Sequence, residues 1–156
     1  MPDLGAIDDY LHAIATEEKL PDFAIGICTL RIEEPEPKLR VLLRRAADGA
    51  HLSDDESFLL FRGIHILGAA RDSKACQPLL HLLRRPFRDV NDLLGDAVTE
   101  SMAKIVAGVF DGDADALFAL MIDSSIDGFV REALFGAATF LAGNAASIAT
   151  GCGCAR

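Results

Sequence analysis

The sequence predicts an all-α protein, a superhelical stack or solenoid of about eight antiparallel helices. Three observations predict it. Val, Ile and Thr are not gathered into the alternating runs that half-buried strands need. Apolar residues instead recur three and four positions apart through most of the chain, the spacing of a helix with one buried face. Finally, a helix-pair pattern occurs twice: the run Phe58 to Gly68 leads into Pro78-Leu79-Leu80-His81-Leu82-Leu83, and Leu79, Leu80, Leu82 and Leu83 return 38 residues later as Leu117, Phe118, Leu120 and Met121. A repeat of roughly 35 to 45 residues built from two short helices buries its apolar faces only by stacking on its neighbours.

Each element follows from local chemistry. Asp3 can cap a first helix with Leu4, Ile7, Leu11, Ile14 and Ala15 on one stripe, and Pro21 opens a second through Phe23, Ala24, Ile27, Cys28 and Leu30. Pro35 and Pro37 stop it, and a third runs from about Glu36 to Ala47 before Asp48-Gly49 ends it. Ser53 or Asp54 with Glu56 or Ser57 caps the fourth helix, which is apolar on nearly all sides and therefore predicted to be central and buried. Arg71-Asp72-Ser73 is a turn to the short leucine-rich helix that Arg84-Arg85-Pro86 terminates. One long helix is expected from about Val90 to Val109, with Asp96, Glu100 and Lys104 at successive i, i+4 positions. Asp111-Gly112-Asp113 turns into a helix with Leu117 and Leu120, and the last helix runs from about Asp127 to Ala142. The helices centred on Ile64, Met102 and Ala137 should lie side by side. Residues 1–143 then form one repeat domain, and 144–156, where periodicity is lost, an atypical frayed or truncated tail.

At 156 residues the chain can bury a core without disulfides or metal. Cys28 and Cys76 fall on apolar helical stripes, as reduced thiols do, and the acidic N-terminus does not read as a targeting segment. The expected compartment is the cytoplasm. Ala133 to Ala155 is uncharged but rich in Gly, Ala, Ser and Thr, a composition too weakly apolar for a membrane span. The net charge of −9 is uneven: residues 1–37 carry 2 basic and 9 acidic side chains, 38–88 carry 10 and 5, and 89–156 carry 3 and 10. An acidic whole repels nucleic acid, whereas the basic middle suits an acidic protein segment.

The strings Ile64-His65-Ile66-Leu67-Gly68, Arg71-Asp72 and Ala75-x-x-Pro78-Leu79-Leu80 resemble the HEAT-like repeats of the phycobilisome-lyase type. With Leu94 to Glu100, Phe110-Asp111-Gly112-Asp113 and Arg131-Glu132-Ala133-Leu134, the chain is similar over residues 20 to 142 to a bacterial family known only as a domain of unknown function. The resemblance implies a HEAT-like fold and no particular reaction. Longer relatives carry a cysteine-rich metal-binding tail of the SEC-C type, whose full pattern Cys152-Gly153-Cys154 does not match.

No phosphate-binding glycine loop, nucleophile elbow or HExxH helix is present. His65, Asp96, Glu100 and Arg131 fall on three long helices that stacking would bring together. The expected reading is a structural network, with Arg131 tying neighbouring repeats through Asp96. Its alternative is a metal-assisted enzyme or regulator using His65, Asp96 and Glu100. Asp111-Gly112-Asp113-Ala114-Asp115 starts like a calcium loop but lacks its closing Glu, so it reads as a capping turn. The function expected is a non-enzymatic scaffold or adaptor without cofactor or metal, contacting an acidic protein through Arg40, Arg44, Arg84, Arg85 and Arg88; a structural fragment of a larger protein is a further alternative. Because the tail offers no polar cap, a homodimer through the C-terminal end, covering Phe129, Phe140 and Leu141, is also expected.

Overall fold

The computed structural model describes residues 6–19 and 21–151, with side chains through Gly143. All regular structure among them is helical. The α-helices are α1 (Ile7–Thr16), α2 (Asp22–Leu30), α3 (Pro35–Ala47), α4 (Asp54–Ala70), α5 (Cys76–Leu83), α6 (Phe87–Leu94), α7 (Ala97–Glu100), α8 (Met102–Val109), α9 (Ala114–Met121) and α10 (Gly128–Gly151), with a 3-10 turn at Ser73–Ala75 before α5. None of the helices among the described residues is long and apolar enough to cross a membrane.

Ten α-helices replace the expected eight because the segment from Val90 to Val109 is broken twice. Gly95 takes φ +51°, which removes it from the helix and ends α6. Ser101, at φ −126°, then separates α7 from α8. The cap expected at Asp3 lies outside the described residues, and α1 begins at Ile7 behind Ala6, without a side-chain cap. In α2, Ala24, Ile27 and Cys28 are buried as expected, whereas Phe23 and Leu30 face solvent. The final helix continues to Gly151 rather than stopping near Ala142. Cys152 and Cys154 lie outside the described residues.

Other local expectations hold. Ser53 and Glu56 form the full capping box: Ser53 Oγ accepts from the Glu56 amide, and Glu56 Oε1 accepts from the Ser53 amide. Arg45 pairs with the other Glu56 oxygen, and this guanidinium together with the Ser53 amide pulls the Glu56 carboxyl from its ordinary 4.5 down to about 2. At the far end of α4, the Arg71 amide bonds to the Gly68 carbonyl and the Asp72 amide to the Leu67 carbonyl, closing a Schellman motif with Arg71 in the left-handed region at φ +57°. Asp113 caps α9 by accepting from the Ala116 amide.

Helix α4 is central, with Leu60, Ile64 and Leu67 in the core. It packs on α1 at one side and α8 at the other, α8 packs in turn on α10, and α3 and α5 pack together beside them. Ile64, Met102 and Ala137 thus belong to one continuous core. The closest crossing is between α4 and α8, where a Cβ built on Gly108 would fall 2.3 Å from the Gly68 carbonyl oxygen. The backbones themselves are in contact there, so no other residue fits without moving a helix.

Two outcomes follow. Gly108→Ala should destabilise the fold by about 1–3 kcal/mol through forced separation of two backbones. Gly26→Ala in α2, where an added Cβ meets nothing within 4 Å, should instead stabilise by about 0.5–1 kcal/mol. Urea midpoints of the two variants should therefore move in opposite directions, and an unshifted Gly108→Ala midpoint would refute the crossing. The second outcome concerns Glu56. A carboxyl lowered by folding gives stability that is complete above its ordinary value of 4.5 and lost as pH falls towards about 2. Thermal melts of Glu56→Gln should lie below wild type at neutral pH and converge with it across that window; a constant gap would contradict the pairing.

Candidate functional site

The residues singled out from the sequence separate in space. His65 lies half-buried on α4, where Nδ1 donates to the Phe61 carbonyl at 2.8 Å and the ring rests tilted on Phe61. Asp96 and Glu100 are exposed on either end of α7. The breaks at Gly95 and Ser101 cut the helix face that was to carry Asp96, Glu100 and Lys104 in register. No three His, Cys, Asp or Glu side chains among the described residues are grouped to hold a metal ion. Arg131 does not tie to Asp96. It sits near Asp123, whose carboxyl is lowered by the hydroxyl and amide of Ser125 and then by the charges of Arg84 and Arg131, and the Arg131 Nε is buried without a hydrogen-bond partner.

Other arginines make the inter-helix ties. Arg40 Nε of α3 lies 3.0 Å from Asp72 Oδ2, with both side chains largely buried, while Asp72 Oδ1 accepts from the Lys74 amide and starts the 3-10 turn. The Nε and Oδ2 atoms are close but poorly aligned, so the contact is an ion pair without a linear hydrogen bond. Arg84 reaches Asp123 at 3.4 Å, and Arg85 donates to the Ala46 carbonyl at 3.0 Å and pairs with Asp89. Three of the five arginines expected to meet a partner therefore serve the fold. Arg44 and Arg88 remain exposed.

Arg62 was not anticipated. It is buried on α4 and donates to the carbonyls of Ile14 and Glu18, both at 3.0 Å, satisfying the C-terminal end of α1 while its guanidinium lies over the Phe58 ring. Asp111 and Asp113 both accept from the Gln77 amide, and Asp113 caps α9. Burial pushes the Cys28 and Cys76 thiols up to about 11, which leaves them protonated and poorly nucleophilic at neutral pH.

A groove of about 500 Å³ lies elsewhere, between α4, α8 and α10, and a second concavity of about 490 Å³ lies between α1 and α2. The last turns of α4 supply His65, Gly68, Ala69 and Arg71; Ser101, Lys104, Ile105, Ala107 and Gly108 come from the start and length of α8; Phe140 and Leu141 come from α10. The close glycine crossing forms part of its lining. Arg71, Lys104 and Phe140 were read from the sequence as a turn residue, a salt-bridged helix position and a dimer contact. Their one visible signal was the pair Gly68 and Gly108, 40 residues apart near the repeat spacing and each on an otherwise apolar helix.

The Arg40–Asp72 tie gives a measurable energy. Arg40→Met strands the Asp72 carboxylate in a buried position and should cost about 3 kcal/mol, whereas Asp72→Asn, which keeps the turn cap, should restore part of that loss when added to it. A double-mutant cycle by urea denaturation in which the two substitutions simply add would remove the tie.

No curated protein and no solved structure matches the chain. A family model described as a protein of unknown function (DUF1186) matches residues 6–149, nearly the whole length over which the helices and the groove are built. The chain belongs to that family.

Proposed function

We propose that the chain is a HEAT-like α-α solenoid that works as a non-enzymatic scaffold or adaptor, binding another protein through its helical surface. The observation that carries this reading is the exposure of large apolar side chains on and beside the two C-terminal helices. Phe118 on α9, Ile122 just after it and Phe135 on α10 are 50%, 81% and 64% exposed. Large apolar side chains exposed together at the end of a helical stack mark protein contact surfaces. The succession α1, α4, α8, α10, with α3 and α5 packed beside it, supports the solenoid, because each helix contacts its neighbours in the order a repeat array requires.

A second copy of the chain is the proposed occupant of this end, since a two-fold contact covers the same surface on both molecules. Of the residues the sequence offered for this contact, Phe129 and Phe140 are 54% and 57% exposed, Phe129 with its ring also against Phe87 at 6.0 Å between centroids, whereas Leu141 is partly buried against its own core. Arg44 and Arg88 supply exposed positive charge for an acidic partner. The proposed setting is the cytoplasm.

Sedimentation velocity tests the reading. Wild type should sediment as a dimer, and Phe135→Glu as a monomer with an unchanged thermal melt. A monomeric wild type would instead require a different protein to be retained on immobilised wild type and lost on the Phe118→Glu/Phe135→Glu variant; failure of both overturns the scaffold reading.

A further inference from the structure

The groove between α4, α8 and α10 carries a more specific chemistry than the apolar end. Its lining holds the cations Arg71 and Lys104, the ring of His65 and the hydroxyl of Ser101, and none of its lining residues is a carboxylate, in a protein with 24 acidic side chains. No ion pair of Arg71 or Lys104 forms with any described residue, whereas Asp or Glu side chains pair with Arg31, Arg40, Arg45, Arg84 and Arg85. The same lining includes the apolar side chains of Ile105, Phe140 and Leu141, and Phe140 is 57% exposed. A groove of about 500 Å³ is in the range of small-molecule sites.

Arg71 adds an independent observation. It occupies the left-handed position of the Schellman motif that ends α4, where glycine is the unstrained choice, and among the described residues it is the one non-glycine with positive φ. A β-carbon there costs stability without serving the helix end, since the motif's two hydrogen bonds are made by backbone amides. What arginine adds over glycine is a guanidinium at the groove. A non-glycine residue at such a position motivates a role for its side chain.

We propose that this groove binds a small organic anion with an apolar body. Its carboxylate, sulfonate or phosphate group is held by Arg71 and Lys104, with Ser101 as a neutral donor, and its body lies against Ile105, Phe140 and Leu141. His65 contributes through Nε2. Because Nδ1 is bound to the Phe61 carbonyl, Nε2 is the ring nitrogen left to hydrogen-bond a polar group of the ligand. Phe118, Ile122 and Phe135 do not line the groove, so variants at those three residues and variants at Arg71 and Lys104 test the two proposals separately.

Fluorescence titration with 1-anilinonaphthalene-8-sulfonate, an aromatic body bearing one sulfonate, tests the site on the full chain. N-phenyl-1-naphthylamine, the same body without the charge, is the control. Wild type should bind the anion saturably at one site per chain and more tightly than the neutral probe. Arg71→Gly should weaken the anion by about tenfold, the loss of one charge-assisted hydrogen bond, while leaving the neutral probe unchanged and the melting temperature equal or higher. Lys104→Gln, at an exposed position, should weaken the anion in the same direction. Phe140→Ser should weaken both probes. Anion binding that is absent from wild type, or equal in wild type, Arg71→Gly and Lys104→Gln, overturns the proposal.

Discussion

The contact of the Gly68 and Gly108 backbones is the constraint on which the rest of the arrangement depends. Helices with side chains between them normally sit 8–10 Å apart, and only glycine at a crossing allows closer approach. Here the carbonyl of Gly68 occupies the place a β-carbon of residue 108 would need. That approach brings α8 onto α4 tightly enough for Ile105 to lie against Gly68, and it leaves a trough beside the crossing where no side chain fills the space. The breaks at Gly95 and Ser101 belong to the same geometry. An uninterrupted helix through Val109 would have one axis from Val90 onwards, whereas the chain is divided at Gly95 and Ser101 into α6, α7 and α8. This lets α6 place Val90 and Leu94 in the core while α8 lies along α4.

Positive charge is the second organising element, and much of it is spent inside the molecule. The basic middle of the sequence looked like a docking surface because arginines outnumber acids there. In the fold, Arg40, Arg62 and Arg85 meet a buried carboxylate or backbone carbonyls at helix ends. Helix C-termini leave carbonyls without partners, and a guanidinium satisfies two at once, as Arg62 does at the end of α1. Truncating any of these is costly chiefly because the group left behind is buried and unpaired, which makes them devices of registry between neighbouring helices.

The sequence made legible whatever depends on neighbours a few residues away. The capping box at Ser53 and Glu56, the turn at Arg71 and Asp72, the aspartate cap before α9 and the burial of Ile64, Met102 and Ala137 all rest on spacing within one or two turns. Pairings across 30 to 48 residues were not legible. Asp96 looked like the partner of Arg131, and the break at Gly95, which sets α7 apart from α6, lay beyond what spacing alone shows. Phe23 and Leu30 failed for a different reason: a short helix at the margin of a stack has room to bury Ala24, Ile27 and Cys28 but not a full ring of apolar residues. The groove was invisible because it is made by what is missing at two glycines, and its cations come from residues whose local roles, a helix end and a helix face, were already accounted for.

An acidic protein with a cationic groove involves no contradiction. Exposed charges are screened over about 8 Å at physiological ionic strength, so an anion close to Arg71 and Lys104 feels those two groups far more than the −9 of the whole chain. At longer range the net charge repels large polyanions more than small ones. A small ligand with one or two charges pays little of that repulsion, and its apolar body adds a contribution that salt does not screen. At the proposed anion site the combination would therefore discriminate by size as well as by charge, favouring compact organic anions over large polyanions.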